Sequence, residues 1–163
     1  MTPLIANRFE VKFYSIAPEG PPGPVDLCGG AFSEVSGLEA TMEPRAIREG
    51  GQYRGEYQRA GQVTYATVIL KRGITSTSHL WTWFDLVGGK MTGHRLRAEL
   101  THFESYKNGP NAFKKVQRFH WVMQNAMPVK FKAATYNGTA AEVGVEELHF
   151  VHEGLSFAAG DAA

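Results

Sequence analysis

Histidine and carboxylate side chains are the groups in this chain best suited to binding a metal or transferring a proton. His149 and His152 form the strongest candidate for a metal site, because imidazole is a common ligand and the two residues are three apart. The valines around them favour a strand, on which such residues point to opposite faces; a helix here would reverse that conclusion. Glu146 and Glu147 are adjacent, so on one strand they do not flank a common substrate. We therefore expect no catalytic residue, metal or cofactor, and a protein that is not an enzyme.

The composition is that of a globular chain from a reducing compartment. The chain has 163 residues, 43% hydrophobic and 20% charged, which suits one domain with one core. Cys28 is the only cysteine, so an internal disulfide is excluded. Residues 1–7 lack the features of a signal peptide, and we expect synthesis in a reducing cytoplasm. No apolar stretch is long enough to cross a bilayer, so we expect no membrane insertion.

Charge is distributed unevenly along the chain. The formal net charge is +1, yet residues 45–132 hold 15 basic residues against 5 acidic ones, and residues 133–163 hold 5 acidic residues and no lysine or arginine. Two oppositely charged parts suit head-to-tail stacking of copies, in which one surface meets a different surface of the next copy. The alternative is that these charges are solvated and scattered over the surface.

Alternation of apolar and polar residues dominates the chain and predicts β-strands. One helix is predicted where Leu80, Trp83, Phe84 and Val87 follow helical spacing before a Gly-Gly pair. The predicted fold class is all-β: a small antiparallel barrel or sandwich of roughly seven or eight strands with one short flanking α-helix. The strand predictions cover residues 9–14, 31–47, 64–71, 96–101, 118–124, 128–135 and 142–151.

Two of the predicted strands form an amphipathic hairpin with one polar face. Such a face suits contact with water, either in bulk solvent or inside a channel. Nucleic-acid binding is a competing interpretation, because the basic part of the chain also contains Tyr53, Tyr57 and Trp121. Trp121 lies on the apolar side of its strand, which weakens that interpretation. The polar face is predicted to carry Arg95, Arg97, Glu99, Arg118, His120 and Gln124.

Six short segments, in this order and spacing, resemble one protein family. They are FSEVSGL (32–38), REGG (48–51), LKRGIT (70–75), LWTW (80–83), NAMPVK (125–130), and EL followed by HEGL (147–155). Together they closely resemble the tail tube proteins of contractile phages and extracellular contractile injection systems, which are similar to the hexameric tube protein of type VI secretion. The resemblance implies a single tail-tube-like domain over residues 1–163, with a core at about 8–156, a Pro-rich loop at 17–28, a long loop at 48–62 and a flexible tail at 157–163.

The resemblance also implies a function through assembly. It implies hexameric rings that stack into a hollow conduit, in a phage tail or an injection particle. Hairpins at Phe32–Ile47 and Arg95–Asn125 would line the channel, and the polar face would point into it. The implied partners are further copies of the chain, other tube-type subunits, the sheath, the baseplate hub or spike, and a DNA or protein cargo. The loops at 17–28 and 105–115 are long for a main tube subunit, so a specialised subunit at the baseplate end is the other option.

A second hypothesis concerns contact between rings. Basic residues of the long loop would pair with acidic residues of the next ring. The residues proposed for contacts between rings or between subunits are Arg48, Glu49, Tyr53, Arg54, Tyr57, Arg59, Glu146 and Glu147. The alternative to the tube is a monomeric β-barrel that binds a ligand or a nucleic acid.

Overall fold

The fold is built almost entirely from antiparallel strands, with one helix. The computed structural model describes residues 8–16, 32–47, 50, 55–89, 93–107, 113–139 and 142–159. The described elements are β1 (Phe9–Ser15), β2 (Glu34–Ser36), β3 (Ala40–Met42), β4 (Arg45–Ile47), β5 (Tyr57–Arg59), β6 (Val63–Tyr65), β7 (Val68–Gly73), α1 (His79–Gly89), β8 (Leu96–Lys107), β9 (Phe113–Lys132), β10 (Val145–Val151) and β11 (Gly154–Ala159). The predicted all-β class with one short helix is confirmed.

The long strand β9 belongs to two sheets. One sheet runs β1-β8-β9-β11, and the other runs β9-β10-β7-β2. Pro128 lies within β9, although proline has no N–H for the strand ladder. A register shift between His149 and Phe150 of β10 accommodates it, because an extra residue on one strand relaxes the pairing. The C-terminal part of the chain adds β11, so residues 157–159 are strand and not part of the predicted tail.

A narrow ribbon extends from these sheets. It consists of β3 paired with β6 and β4 paired with β5. The predicted strand at 64–71 is therefore two strands, β6 in the ribbon and β7 in the second sheet, and β5 lies inside the predicted long loop at 48–62. Gly37 separates β2 from β3, with φ 85°, and a Cβ there would lie 2.1 Å from the carbonyl oxygen of Thr67. Only glycine fits this bend.

The helix α1 covers the apolar side of the sheets. Leu80, Trp83 and Val87 are its buried residues, which is the face that the spacing predicts. The Trp83 ring lies 5.1 Å from that of Phe13, and Phe13 lies 5.8 Å from Phe150. These rings come from the helix and both sheets, so they join the whole fold into one core. The core lies on one side of β8, so the side chains on the opposite face of that strand point away from the core.

Candidate assembly site

A row of polar side chains lies on the face of β8 that points away from the core. Leu96, Ala98 and Leu100 are buried, while Arg97 and Glu99 between them are only partly buried. This period of two is the strand geometry that the sequence predicts. The neighbouring strand β1 repeats the pattern, because Val11 and Phe13 are buried and the residues between them are not. The two strands thus present one continuous polar surface, here called the polar face.

Glu99 is the centre of the interactions on the polar face. Its carboxylate oxygens lie 2.8 Å from Nε of Arg97 and 3.5 Å from Nε2 of His120 on β9. The other ring nitrogen of His120 is 3.1 Å from Oγ1 of Thr101, which pairs with His120 across the strands. The guanidinium of Arg97 also lies 4.9 Å from the ring centroid of Tyr14. Charge on this face is therefore balanced within a single subunit.

The same balance holds at both ends of this network. On β1, Nζ of Lys12 lies 3.2 Å from a carboxylate oxygen of Glu10. At the opposite end, Nη1 of Arg95 donates a hydrogen bond to the carbonyl oxygen of Asn125, 3.4 Å away, and lies 4.0 Å from Glu153. Nδ2 of Asn125 donates to Glu153 over 2.7 Å. Asn125 has φ 52°, a left-handed conformation that asparagine tolerates. It lies on β9, where the pairing of β9 changes from β11 to β10. Sequence reasoning missed this residue.

Four of the other predicted residues of the polar face share it with Arg97, and one does not. Arg95, Glu99, His120 and Gln124 lie away from the core, as the alternation predicts. Arg118 is the exception, because a register shift between His102 and Phe103 leaves it without a direct partner on β8. Its Nε binds Glu104 over 2.7 Å. Glu104 is two residues from the buried His102 and so lies on the same face of β8, which is the side of the sheet opposite the polar face. For Arg118 the predicted face is wrong.

The two adjacent glutamates of β10 point to opposite faces of the strand. Glu147 faces outward, with Lys132 at 3.3 Å and His149 at 3.4 Å. The hydrogen bond from His149, together with nearby Lys132, holds the pKa of Glu147 below its ordinary value. Glu146 faces inward and is buried, where Nε of Arg72 donates a hydrogen bond to its carboxylate. Because Glu146 is buried and its charge is paired inside the subunit, it offers little surface for contact with another ring.

Two of the remaining residues of the inter-ring prediction belong to the ribbon. Tyr57 and Arg59 lie on β5, where every residue is exposed, and Tyr57 is 52% exposed. Both are therefore accessible to another copy of the chain. Four further residues of that prediction lie outside the described residues: Arg48, Glu49, Tyr53 and Arg54.

The two histidines first considered as metal ligands have separate environments. His149 binds Glu147 on the outer face. His152 is buried, its Nδ1 lies 3.0 Å from the carbonyl oxygen of Gly154, and its ring lies 5.1 Å from that of Tyr65. Burial lowers the pKa of His152, although the contact with the Gly154 carbonyl opposes the shift. Over the described part of the chain, no group of three or more histidine, cysteine, aspartate or glutamate residues could hold a metal ion. No helix there has the length and apolar character to cross a membrane.

The sequence comparison identifies the family. The chain belongs to the T4-like virus tail tube protein gp19 family, which it matches over residues 5–156. This membership confirms the resemblance predicted from the six segments and makes the chain a structural tube protein. Among curated protein sequences, none matches the chain.

Several solved structures share this fold. A chain of the anti-feeding prophage (AFP) baseplate is 23% identical, with a TM-score of 0.74, over 98% of this chain and 97% of that one. A chain of the PVC sheath-tube complex, an extracellular contractile injection system in its extended state, is 18% identical, with a TM-score of 0.68, over 96% and 92%. The Hcp1 protein of E. coli EAEC 042 is 17% identical, with a TM-score of 0.52, over 94% and 99%.

Proposed function

We propose that this protein forms hexameric rings that stack into the hollow inner tube of a phage tail or a related injection particle. The protein acts through assembly and not through turnover of a substrate. The observation that carries the proposal is the polar face, which is set against an apolar core in a chain of the tail tube family. The interior of one subunit is filled by buried aromatic and aliphatic side chains, so a water-filled passage has to lie between subunits.

In this arrangement the polar face lines the channel. The hairpin formed by β8 and β9 presents this face, and the chain from Phe32 to Ile47 supplies the second lining segment. Because each charged side chain of the face has an oppositely charged neighbour in the same subunit, the face is stable in water without help from a cargo. DNA or a protein effector is the cargo that such a channel would carry. The proposed lining residues are Arg95, Arg97, Glu99, His120 and Gln124.

Contact between rings is proposed for the ribbon and for the outer side of β10. Each half of the ribbon is a pair of only two strands, and such a pair is marginally stable in water unless another surface supports it. Tyr57, Arg59 and Glu147 are the accessible residues there. Exposed ion pairs contribute only about 0–1 kcal/mol each, so repeated apolar and strand contacts must supply most of the stacking energy. Arg48, Glu49, Tyr53 and Arg54 remain part of this proposal.

Two positions in the tube fit the chain. It is either the bulk subunit, as similarity to a chain of the PVC sheath-tube complex supports, or the initiator next to the baseplate, as similarity to a chain of the AFP baseplate supports. In both positions we propose that sheath, baseplate and other tube-type subunits are its partners. A bulk subunit alone should grow into tubes, whereas an initiator should stop at single or paired rings.

Negative-stain microscopy and sedimentation of the purified chain test the proposal. We expect rings the size of a hexamer or tubes, and a persistent 18.0 kDa monomer at all concentrations would refute it in favour of a ligand-binding or nucleic-acid-binding barrel. The variant Arg59→Glu should shorten stacks and leave single rings intact. The matched control is Lys115→Glu, because Lys115 is an exposed cation in the part of β9 that pairs with β8, to which no contact between rings is assigned.

A further inference from the structure

Three strands of the two larger sheets have a partner on one side only. β1 and β2 end the strand order, and β11 pairs with β9 alone. A strand with a free side presents unpaired backbone N–H and C=O groups, which are a template for pairing with another chain. Natural proteins protect solvent-exposed edges with charged residues or proline. An edge without such residues is therefore the one that another chain is expected to cover.

The three edges differ in this protection. β1 carries Glu10 and Lys12, which form an ion pair, and β2 carries Glu34, which binds Lys71 of its neighbour. β11 reads Gly-Leu-Ser-Phe-Ala-Ala over Gly154–Ala159, with neither a charge nor a proline. Of the three, only β11 lacks both protective features. An unprotected edge of this kind is prone to aggregate in water unless another chain covers it.

A cluster of aromatic side chains lies on β11 and on β9, the strand next to it. Phe157 of β11 is 49% exposed, and its ring lies 4.8 Å from Trp121 and 5.5 Å from Phe119, both on β9. Phe119 is itself 38% exposed. The three rings form a ladder beside the free backbone of β11. Exposed, mutually supported aromatic side chains are the residue type that most often dominates the energy of a protein interface.

We propose that β11 and the aromatic ladder Phe119–Trp121–Phe157 form the contact that joins neighbouring copies within a ring. The occupant is a strand of a second copy of this chain, because free N–H and C=O groups select an extended backbone and the ladder selects an apolar one. A ring of more than two copies needs two different surfaces in each contact, so β11 meets an edge other than β11 of the next copy. The inference rests on the proposed ring-forming function, which it deepens by naming the surface.

The variant Phe157→Ser tests this contact. Because Phe157 is half exposed, the substitution leaves the subunit folded, and its unfolding temperature should stay close to that of the unchanged protein. Loss of a central aromatic contact should raise the concentration at which half the chains are in rings by at least about tenfold. Phe157→Leu should restore most of the assembly. Tyr136→Ser is the matched control, since Tyr136 is 80% exposed and lies outside the ladder.

Hydrogen exchange on the unchanged protein gives an independent readout. If β11 gains a strand partner, the backbone amides of residues 154–159 should exchange more slowly in rings than in free subunits. The inference is overturned if the unchanged protein forms rings while Phe157→Ser assembles equally well and these amides exchange at the same rate in both states. A chain that never forms rings overturns the proposed function instead, so the two failures are distinguishable.

Discussion

The buried ion pair between Arg72 and Glu146 offers the sharpest test of the subunit structure. Arg72 lies on β7 and Glu146 on β10, directly opposite each other in the second sheet. Only 1% of the Arg72 side chain and 11% of the Glu146 side chain are exposed. The Arg72 guanidinium also donates from Nη2 to the carbonyl oxygen of Thr77, which connects the sheet to the segment before α1. The perturbation is Glu146→Gln, which keeps the size of the side chain and removes its charge.

The expected cost follows from burial. Removing one partner of a buried pair leaves the other charge without compensation and costs about 3–5 kcal/mol. Total stabilities of domains are about 5–15 kcal/mol, so the variant should still fold. For a chain of this length, the unfolding temperature should drop by about 10 °C. The double variant Arg72→Met with Glu146→Leu should recover most of this loss, because both charges are then replaced by apolar groups.

Thermal and urea unfolding of the three proteins provide the assay, with Glu34→Gln as the matched control. Glu34 pairs with Lys71 on the same sheet, but its side chain is 52% exposed, so its loss should cost at most about 1 kcal/mol. The reasoning is refuted if Glu146→Gln is no more destabilising than Glu34→Gln. If Glu146→Gln instead left the stability of the subunit unchanged and blocked the stacking of rings, Glu146 would be a contact between rings.

Three further predictions concern the bend, the core and a buried histidine. Gly37→Ala should lower the free energy of urea unfolding by at least about 2 kcal/mol, because the added Cβ meets a backbone carbonyl at a positive φ. The control Gly88→Ala should leave that free energy almost unchanged, because its added Cβ meets open space at the end of α1. Trp83→Ala should cost about 3–5 kcal/mol and Trp81→Ala much less, because Trp83 is fully buried and Trp81 is 46% exposed; equal losses would contradict the orientation of α1. The pKa of His152 is lowered from 6.5 in the folded chain, so the unfolded chain binds more protons below that pH. The stability that depends on neutral His152 is complete above about pH 6.5 and is lost as the pH falls below it. His152→Phe should therefore reduce the fall in the free energy of unfolding between about pH 7 and pH 5. An unchanged dependence of that free energy on pH would disprove the assignment.

Local periodicity made the main elements of this fold predictable. The alternation around Arg97 and the helical spacing around Trp83 each depend on residues close in the chain, and both patterns reappear in β8 and α1. In the ribbon, β3 and β4 fall inside the predicted strand at 31–47, whereas β5 escaped prediction because its three residues are all exposed and no apolar face distinguishes it from a loop. The length of β9 was also missed, since Pro128 argues against a continuous strand and only the register shift on β10 accommodates it.

The candidate site was predictable to the same extent. Arg97 and Glu99 could be placed on one face because alternation along a single strand determines it. Arg118 could not, because its orientation depends on a register shift between β8 and β9, which is set by tertiary pairing. Glu146 could not either, because its partner Arg72 is 74 residues away in the chain. Alternation along a strand shows on which face a side chain lies, but not whether an oppositely charged residue lies next to it.

A cryo-EM reconstruction of the assembled chain tests the central claim most directly, because it shows both the symmetry and the direction in which the polar face points. We predict a six-fold ring in which Arg97 and Glu99 face a central water-filled channel. A ring with these residues on its outer surface, or a preparation that contains only single subunits, would contradict the account.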